Sequence, residues 1–268
     1  MVKMFFSDMD GTLLNSKKLP SKQDIATIAY LEQKGIPFCI TTGRSWFMTK
    51  GYVRMLGLRH LTIAANGALV IDPEGNILFR KPMDSTHAYK IAKRMADEGK
   101  FFRVYTADCI YTYPHAEGFK MLEEYNALVD EADRAQVVKL PDVESVKNME
   151  VFKILGHDVM PDEGDSYRNE FGELPLNLLT TEGSMLDVTS KDINKGTGVM
   201  EVCRIYGVSI EDAAAMGDDN NDLMMLQTAG VSGAPKNAKP AALSAAKYIL
   251  PSNNDSPLTY FVEEVLGL

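Results

Sequence analysis

Two carboxylates directly follow a short apolar run near the start of the chain. The run predicts a buried strand, Val2–Ser7, which leads into Asp8-Met9-Asp10-Gly11. A carboxylate can attack phosphorus and form an acyl phosphate, so that hydrolysis proceeds in two steps. A second carboxyl group two positions later can protonate the leaving oxygen and then deprotonate water. Asp8 is therefore a candidate nucleophile and Asp10 a candidate general acid and base, unless the motif is only a solvated loop after a strand.

A second acidic cluster lies in the last third of the chain. Gly217-Asp218-Asp219-Asn220-Asn221-Asp222 follows another apolar strand pattern. So many carboxylates beside an anionic phosphate need a cation, and oxygen ligands of this kind suit Mg²⁺. Mg²⁺ would also offset the repulsion between a carboxylate nucleophile and a phosphoryl group. The alternative is an acidic helix start, because Asp and Asn cap helices well, and Asp219 and Asn220 fit that role.

Two weaker signals point to phosphate binding. Thr42-Gly43-Arg44 ends a second predicted strand, Pro37–Thr41, and its hydroxyl and backbone N–H groups can bind phosphate oxygens. Lys195 begins a predicted helix and can balance phosphate charge as a point cation. Taken alone, the first signal also fits a plain turn, and the second also fits a surface lysine.

Strand and helix patterns alternate around these motifs. One predicted helix follows Ser21 and closes at Gly35, a second spans Ser45–Leu56, and the alternation resumes after Lys195. Such alternation indicates a parallel sheet with helices on both faces. Ligands of these sheets bind beyond the carboxyl ends of the strands, where the motifs lie. The sequence thus predicts an α/β fold with a doubly wound parallel sheet.

The order of elements changes between residues 83 and 186, where it is typical of a separate mixed α/β layer. We expect an inserted domain over 83–186 and a core domain built from 1–82 and 187–268. Side chains of the insert that are candidates for contacting a ligand are Tyr105, Tyr111, Tyr113, His115 and Glu182. Aromatic residues in strands more often pack in a core, so no substrate contact follows from this set.

Bulk composition limits the partners. The formal net charge of -9 argues against a nonspecific grip on nucleic acid or on an anionic membrane, since both need clustered Lys and Arg. No uncharged apolar run approaches the roughly 18 residues that span a bilayer, and no signal peptide is visible. The cysteines show no CxxC spacing. We expect a cytoplasmic protein without nucleic-acid or membrane partners, and its oligomeric state is not indicated.

Four motifs resemble those of the haloacid dehalogenase superfamily of phosphotransferases. In chain order they are DMDGT, a Thr that ends a strand, a Lys and GDDNND. The pair DxDGT and GDxxND is highly specific, and the resemblance covers nearly the whole chain. The insert between the Thr and Lys motifs looks like a type C2 cap, and TTGR, Asn66-Gly67 and GDDNNDLMML resemble the Cof-like subfamily. One departure is GVSGAPKNA, where many relatives read GVAMGNA; it concerns a loop and no catalytic residue.

The resemblance implies a Rossmann-like core, a Mg²⁺ cofactor and specific roles for the motif residues. Asp8 would be the nucleophile and Asp10 the acid and base. The phosphate would be bound by Thr42, Gly43, Lys195 and Asn221. The metal would be held by Asp8, the backbone carbonyl of Asp10, Asp218 and Asp222, the last either as a ligand or beside the metal.

The sequence therefore predicts a magnesium-dependent phosphohydrolase that acts on a small phosphomonoester, such as a sugar phosphate or similar metabolite, through an aspartyl-phosphate intermediate. A phosphotransferase or phosphomutase would use the same nucleophile and differ only in the acceptor. A non-enzymatic module that binds magnesium or phosphate is a further alternative, which the second carboxyl group and the large insert disfavour. No motif identifies the physiological ester.

Overall fold

The computed structural model describes residues 1–116, 118–181 and 184–268. Its strands are β1 (Met4–Ser7), β2 (Phe38–Ile40), β3 (Thr62–Ala64), β4 (Leu69–Ile71), β5 (Ile77–Arg80), β6 (Phe102–Tyr105), β7 (Ile110–Tyr113), β8 (Val137–Lys139), β9 (Lys153–His157), β10 (Leu176–Thr181), β11 (Met185–Ser190), β12 (Ala213–Met216), β13 (Val231–Pro235) and β14 (Tyr248–Leu250). Its α-helices are α1 (Lys22–Gln33), α2 (Lys50–Met55), α3 (Ser85–Asp97), α4 (Lys120–Leu128), α5 (Pro161–Phe171), α6 (Lys195–Tyr206), α7 (Leu223–Thr228), α8 (Pro240–Ala245) and α9 (Pro257–Tyr260). Across these described ranges, no helix is both long and apolar enough to cross a membrane.

The chain divides into two compact units. The first comprises Met1–Arg44, Tyr52–Phe79 and Asn194–Leu268, and the second comprises Ser45–Gly51 and Arg80–Ile193. The first unit is therefore assembled from three separate stretches of sequence.

A five-stranded parallel sheet with the order β14-β13-β12-β1-β2 forms the centre of the first unit. Every residue of the neighbouring strands β1 and β12 is buried. The register pairs Ser7 with both Met216 and Ile40, so that β1, β2 and β12 end at the same edge. This parallel sheet confirms the predicted α/β fold.

Helices cover both faces of that sheet. Neighbouring residues of a strand point to opposite faces, so β1 contributes side chains to the packing on each side. On one face, Phe6 packs in a cluster with Val199 and Val202 of α6. On the other face, the Phe5 ring stacks on Phe38 of β2 at 5.8 Å between centroids. It also meets the edge of the Phe261 ring at 5.5 Å, and Phe261 begins the helical turn Phe261–Val265 that directly follows α9. The sheet is doubly wound, as predicted.

A small sheet with the order β3-β4-β5 extends from the end of β2. Thr41, just after β2, forms a parallel bridge with Ile63 of β3. The chain then turns through Asn66 and Gly67, whose φ angles are 56° and 100°. Glycine and asparagine adopt this left-handed region more readily than other residues, which accounts for the turn predicted at this pair.

The second unit contains a six-stranded sheet with the order β10-β11-β9-β6-β7-β8. Neighbouring strands are antiparallel except for β7 and β8. Helices α3 and α5 cover one face through a cluster that includes Ile91, Tyr167, Phe102 and Val188. Glu182, one of the candidate ligand contacts, lies outside the described residues. The role of this unit as a cap and the domain bounds 83–186 stay predictions.

The segment Ser45–Gly51 belongs to the second unit. The sequence pattern predicts a single helix over Ser45–Leu56, and this prediction is wrong in its first part. The structure has a 3₁₀ turn at Trp46–Met48, followed by α2. The N–H of Gly51 donates a hydrogen bond to the Tyr125 hydroxyl at 3.1 Å, which is a long-range contact that helical periodicity does not reveal.

Candidate active site

Asp8 lies directly beyond the carboxyl end of β1. Its N–H donates to the Met216 carbonyl at 2.9 Å, and the residue is 5% exposed. Because β1 and β12 are parallel neighbours, the loops that follow them meet at one edge of the sheet. The first carboxylate motif and the later acidic cluster are therefore adjacent in space.

Lys195, the first residue of α6, joins these two motifs. Its Nζ donates to Oδ1 of Asp8 and to Oδ1 of Asp222, each at 2.6 Å. The residue is 1% exposed, and burial by itself would lower the pKa of its amine. The charges of Asp222 and Asp8 outweigh burial and raise that pKa above its usual value, so that Lys195 is a cation at neutral pH.

Asp218 and Asp222 form a cluster with Asp8. One carboxylate oxygen from each residue lies within 4.8 Å of the others. Oδ2 of Asp222 accepts hydrogen bonds from the N–H groups of Asp218 at 3.0 Å and Asp219 at 2.9 Å. Since its other oxygen is held by Lys195, Asp222 fits a supporting position beside a metal better than a direct bond to one.

The turn after β1 makes room for Asp218. Gly11 has a φ of 77°, and a Cβ built there would lie 2.3 Å from Oδ2 of Asp218. The neighbouring Thr12 hydroxyl donates to Oδ1 of Asp218 at 2.8 Å. Gly11 thus leaves space for Asp218 to approach the turn, and the Thr12 hydroxyl fixes the orientation of the Asp218 carboxylate.

The electrostatics of the cluster fit a divalent cation. Burial raises the pKa of Asp8 well above its usual value; Lys195 opposes this rise, and Asp222 and Asp218 reinforce it. Burial, opposed by the Thr12 hydrogen bond and reinforced by Asp222, raises the pKa of Asp218 to about 6. One lysine cation lies beside three carboxyl groups, so the cluster is short of positive charge, and carboxylate oxygens are preferred ligands of Mg²⁺. Asp8 and Asp218 fit direct ligands to such an ion.

Thr42 and Gly43 occupy the turn after β2. The Thr42 hydroxyl accepts a hydrogen bond from the Arg44 N–H at 3.1 Å. A Cβ on Gly43 would lie 2.7 Å from Oδ1 of Asn66, which itself accepts a hydrogen bond from Nδ2 of Asn221 at 2.9 Å. Asn221 is thereby brought against the Thr42-Gly43 turn.

Two cations hold the Asp10 carboxylate. Arg44 donates two hydrogen bonds of 2.7 Å, from Nε to Oδ2 and from Nη2 to Oδ1, and Lys18 donates one of 2.9 Å from Nζ to Oδ1. Burial would raise the pKa of Asp10, but the hydrogen bonds and charges of Arg44 and then of Lys18 outweigh it and lower that pKa to about 2. At neutral pH Asp10 is therefore ionised, which is the form required of a general base.

Tyr52 contacts both Arg44 and Lys18. The Arg44 guanidinium carbon lies 5.3 Å from the centroid of the Tyr52 ring. The Tyr52 hydroxyl donates to the Lys18 carbonyl at 3.0 Å. Lys18 has a φ of 60°, an uncommon value for a lysine, and the hydrogen bond from Tyr52 restrains its backbone.

All of the predicted site residues lie in the first unit, in the loops after β1, β2 and β12 or at the start of α6. They are Asp8, Asp10, Thr42, Gly43, Lys195, Asp218, Asn221 and Asp222. The sequence patterns indicate Arg44 only as part of the Thr42-Gly43-Arg44 turn and give no role to Lys18 or Tyr52. The position of Arg44 directly after Thr42-Gly43 was a usable signal, whereas the contact of Lys18 depends on a loop conformation that no motif encodes.

Comparisons with known proteins identify relatives of this chain. The sequence pattern of haloacid dehalogenase-like hydrolases matches residues 5–262. The chain is 26% identical to the phosphatase YwpJ of Bacillus subtilis, over 99% of this chain and 100% of that protein. It is also 26% identical to the 5-amino-6-(5-phospho-D-ribitylamino)uracil phosphatase YwtE of the same organism, over 99% of each chain. A solved haloacid dehalogenase-like hydrolase from B. subtilis superposes with a TM-score of 0.84 at 24% identity, over 98% of this chain and 100% of that chain. With nearly its whole length matched, the protein belongs to the family of haloacid dehalogenase-like hydrolases.

Proposed function

We propose that this protein is a magnesium-dependent phosphatase that hydrolyses small phosphomonoesters through an aspartyl phosphate on Asp8. The observation that carries the proposal is the buried Asp8 carboxylate at the sheet edge, with one oxygen held by Lys195 at 2.6 Å and Asp218 beside it. The relatives whose names identify them as phosphatases support the same reaction class.

In the first step, one oxygen of Asp8 attacks the phosphorus atom while the other stays hydrogen bonded to Lys195. The bond between phosphorus and the ester oxygen breaks, and an acyl phosphate forms. Lys195 and the N–H groups of the Thr42-Gly43 turn bind the phosphoryl oxygens, where positioning and charge stabilisation supply most of the catalysis.

A magnesium ion held by Asp8, Asp218 and the backbone carbonyl of Asp10 would neutralise the phosphate as it approaches these carboxylates. Asp222 keeps Lys195 and the loop of Asp218 in place through the hydrogen bonds of its two oxygens.

In the second step, water attacks the phosphorus atom and Asp10 accepts the proton of that water. The bond between phosphorus and the Asp8 oxygen breaks, which releases inorganic phosphate and restores the Asp8 carboxylate. The contacts with Arg44 and Lys18 keep Asp10 in the carboxylate form that this step needs. To act as the acid of the first step, Asp10 must gain a proton, so we expect its contact with Arg44 to loosen when the ester binds.

The nucleophile is tested with Asp8→Asn. This variant should lose magnesium-dependent hydrolysis of p-nitrophenyl phosphate by about 10⁴-fold or more, because an amide oxygen is a poor nucleophile toward phosphorus. Release of p-nitrophenol is measured by absorbance, and circular dichroism reports whether the fold is retained.

Asp219→Asn is the matched control, since Asp219 lies in the same loop but forms an ion pair with Lys239 at 2.9 Å. It should keep most of the activity. If Asp8→Asn is as active as this control, Asp8 is not the nucleophile. Detection of a phosphorylated alcohol product in place of inorganic phosphate would favour phosphotransfer over hydrolysis.

We further propose that the substrate is a small phosphorylated metabolite, such as the phosphate ester of a sugar or polyol. One relative is named for a substrate with a phosphorylated ribityl chain, and another solved relative is titled a sugar phosphatase. A panel of phosphomonoesters, compared by kcat/KM, identifies the preferred ester.

A further inference from the structure

The sheet of the second unit has two different faces. Along β6, Phe102 and Val104 are fully buried in the cluster beneath α3 and α5, whereas Arg103 and Tyr105 are partly exposed. Since successive strand residues alternate in direction, Arg103 points to the face opposite these helices.

Arg103 has aromatic neighbours but no hydrogen-bond acceptor among the residues that the structure describes. Its guanidinium carbon lies 3.7 Å from the centroid of the Phe119 ring and 5.8 Å from that of Phe101. Its Nε is buried and unpaired, and no carboxylate among the described residues forms an ion pair with it. By contrast, Arg94 on the helical side of this unit donates to Glu98 and Glu170.

On the same face, the described strand neighbours next to Arg103 carry no negative charge. Leu155 of β9 lies directly opposite Arg103, and Lys153 and His157 flank it on the same face. Lys153 is paired with Asp187. Asp187 lies opposite Leu155 on the next strand, so its backbone is about 10 Å from the backbone of Arg103.

His157 adds a neutral polar group to this surface. Burial, reinforced by the charge of Arg103, lowers the pKa of His157 to about 4, so that the ring is uncharged at neutral pH. Its Nε2 is buried and has no hydrogen-bond partner among the described residues. The ring lies against Phe101, with 5.1 Å between centroids.

A guanidinium group is a planar array of donors that matches the oxygens of a carboxylate or phosphate. Aromatic rings beside it limit its hydration, which favours exchange of water for an anion. We propose that Arg103 binds an oxyanion, the carboxylate or phosphate group of a small metabolite, on this face of the second unit. The oxyanion is carried by a small metabolite, and kinetics decide whether that metabolite is also a substrate.

Binding is measured by isothermal titration calorimetry with succinate and inorganic sulfate as probes, in magnesium-free buffer. At least one probe should bind the wild-type protein, and Arg103→Gln should weaken that binding about 10- to 100-fold, the range for one charged hydrogen-bonding partner. Arg103→Lys keeps the charge but loses the planar fork, so it should bind with intermediate affinity.

Arg134→Gln, which changes an exposed arginine of the same unit, is the control and should bind the probe like the wild type. Thermal unfolding verifies that each variant is folded. If neither probe binds the wild type, or if Arg103→Gln binds as well as the control, the proposal is overturned.

A kinetic comparison identifies the source of the oxyanion, and this part rests on the proposed phosphatase function. The substrates are 3-phosphoglycerate and glycerol 3-phosphate, which differ by a carboxylate in place of a hydroxymethyl group. If the oxyanion is part of the substrate, Arg103→Gln lowers kcat/KM about 10- to 100-fold for 3-phosphoglycerate and less than about twofold for glycerol 3-phosphate.

If probe binding is lost but neither kcat/KM changes, Arg103 serves a separate metabolite. An equal loss for both esters with unchanged probe binding means that Arg103 is structural, which contradicts the proposal. A wild-type protein that hydrolyses no phosphomonoester refutes the phosphatase function, while the calorimetry still decides the role of Arg103.

Discussion

Asp10 illustrates how the chemistry of one residue depends on side chains that are distant in sequence. A carboxyl group two positions after the proposed nucleophile has the right place for acid and base catalysis, but its protonation state depends on Arg44 and Lys18. Both cations favour the carboxylate. In the reaction proposed above, this form of Asp10 is the one that the water-dependent second step needs.

We expect Arg44→Gln to raise the pKa of Asp10 from about 2 toward its ordinary value of 3.8. Lys18→Met should raise it less, because Lys18 donates one hydrogen bond and Arg44 donates two. Carboxyl carbon chemical shifts, followed by NMR against pH in the metal-free protein, measure both values. An unchanged midpoint in Arg44→Gln would mean that this ion pair does not persist in solution.

The same ion pair links folding to pH. Because the pKa of Asp10 is lowered in the folded state, the pair stabilises the protein above pH 3.8 and loses this effect as the pH falls toward 2. Asp10 is partly exposed, with 36% of its side chain accessible, so solvent screening keeps the contribution to about 1 kcal/mol or less.

Among individual residues, the sequence predicted those that belong to a recognisable motif. Asp8, Asp218 and Lys195 have side-chain types and positions that the proposed reaction itself requires. Lys18 and Tyr52 could not be predicted, because their roles depend on a left-handed loop conformation and on a ring that packs beneath Arg44. Neither the loop conformation nor the packing of the ring produces a recognisable pattern in the neighbouring sequence.

At the scale of elements, the turn between β3 and β4 positions the start of α6. Gly67 has a φ of 100°, and a Cβ there would lie 2.1 Å from the backbone oxygen of Asn194. Asn194 caps α6 through a hydrogen bond from the Thr197 N–H at 3.0 Å, and Lys195 follows it directly. The close approach at Gly67 therefore helps to place the Lys195 amine.

The sequence predicted the Asn66-Gly67 turn from its residue types but not its contact with α6, which involves residues far along the chain. Helix α1 was predicted more completely: its start at Ser21 is confirmed by a hydrogen bond from the Asp24 N–H to the Ser21 hydroxyl at 3.0 Å. Local capping chemistry is visible in a sequence, whereas packing between distant segments is not.

Asp24 joins α1 to the C-terminal segment. It is fully buried, and its Oδ1 accepts hydrogen bonds from the Thr259 N–H at 2.9 Å and hydroxyl at 3.0 Å. Its Oδ2 is buried and unpaired within the described part of the chain. Burial outweighs these hydrogen bonds and raises the pKa of Asp24, so the ionised form weakens the folded state.

We expect Asp24→Asn to be more stable than the wild type at pH 8, because it keeps an acceptor for Thr259 and removes the buried charge. The stability of the wild type falls as the pH rises through the raised pKa, so the advantage of the variant should shrink toward pH 4. Urea unfolding at several pH values measures this difference. Asp24→Ala should be destabilised by about 1–3 kcal/mol at either pH, because Thr259 loses its acceptor.

At the scale of the whole molecule, the site forms only when distant segments of the first unit fold together. Asp8 and Lys195 are 187 residues apart in sequence, yet they share a hydrogen bond. A ligand that binds this assembled site stabilises the folded state alone. Binding at the site and global stability are therefore linked.

We expect Mg²⁺ to raise the Tm of the wild-type protein. At a concentration of about 100 times Kd the stabilisation is about 2.7 kcal/mol, which corresponds to a shift of roughly 5–10 °C for a protein of this size. The shift should shrink below pH 6, because the proton competes for Asp218, whose pKa is about 6. Differential scanning calorimetry measures each Tm.

Asp218→Asn should abolish most of this shift, and Asp219→Asn should retain it. A shift of equal size in both variants would place the magnesium site elsewhere in the chain. The comparison is independent of catalysis, so it tests the metal site even where no substrate is turned over.

The burial of Lys195 also determines how that amine reacts as a nucleophile. Acylating reagents attack a neutral amine that they can reach, and Lys195 is 1% exposed and held in its protonated form by two carboxylates. A surface lysine such as Lys34, which is exposed, reacts in the native protein. Acylation of Lys195 instead requires the first unit to open. The rate of covalent labelling at this position therefore measures how often the unit unfolds, not how accessible the lysine is in the folded state.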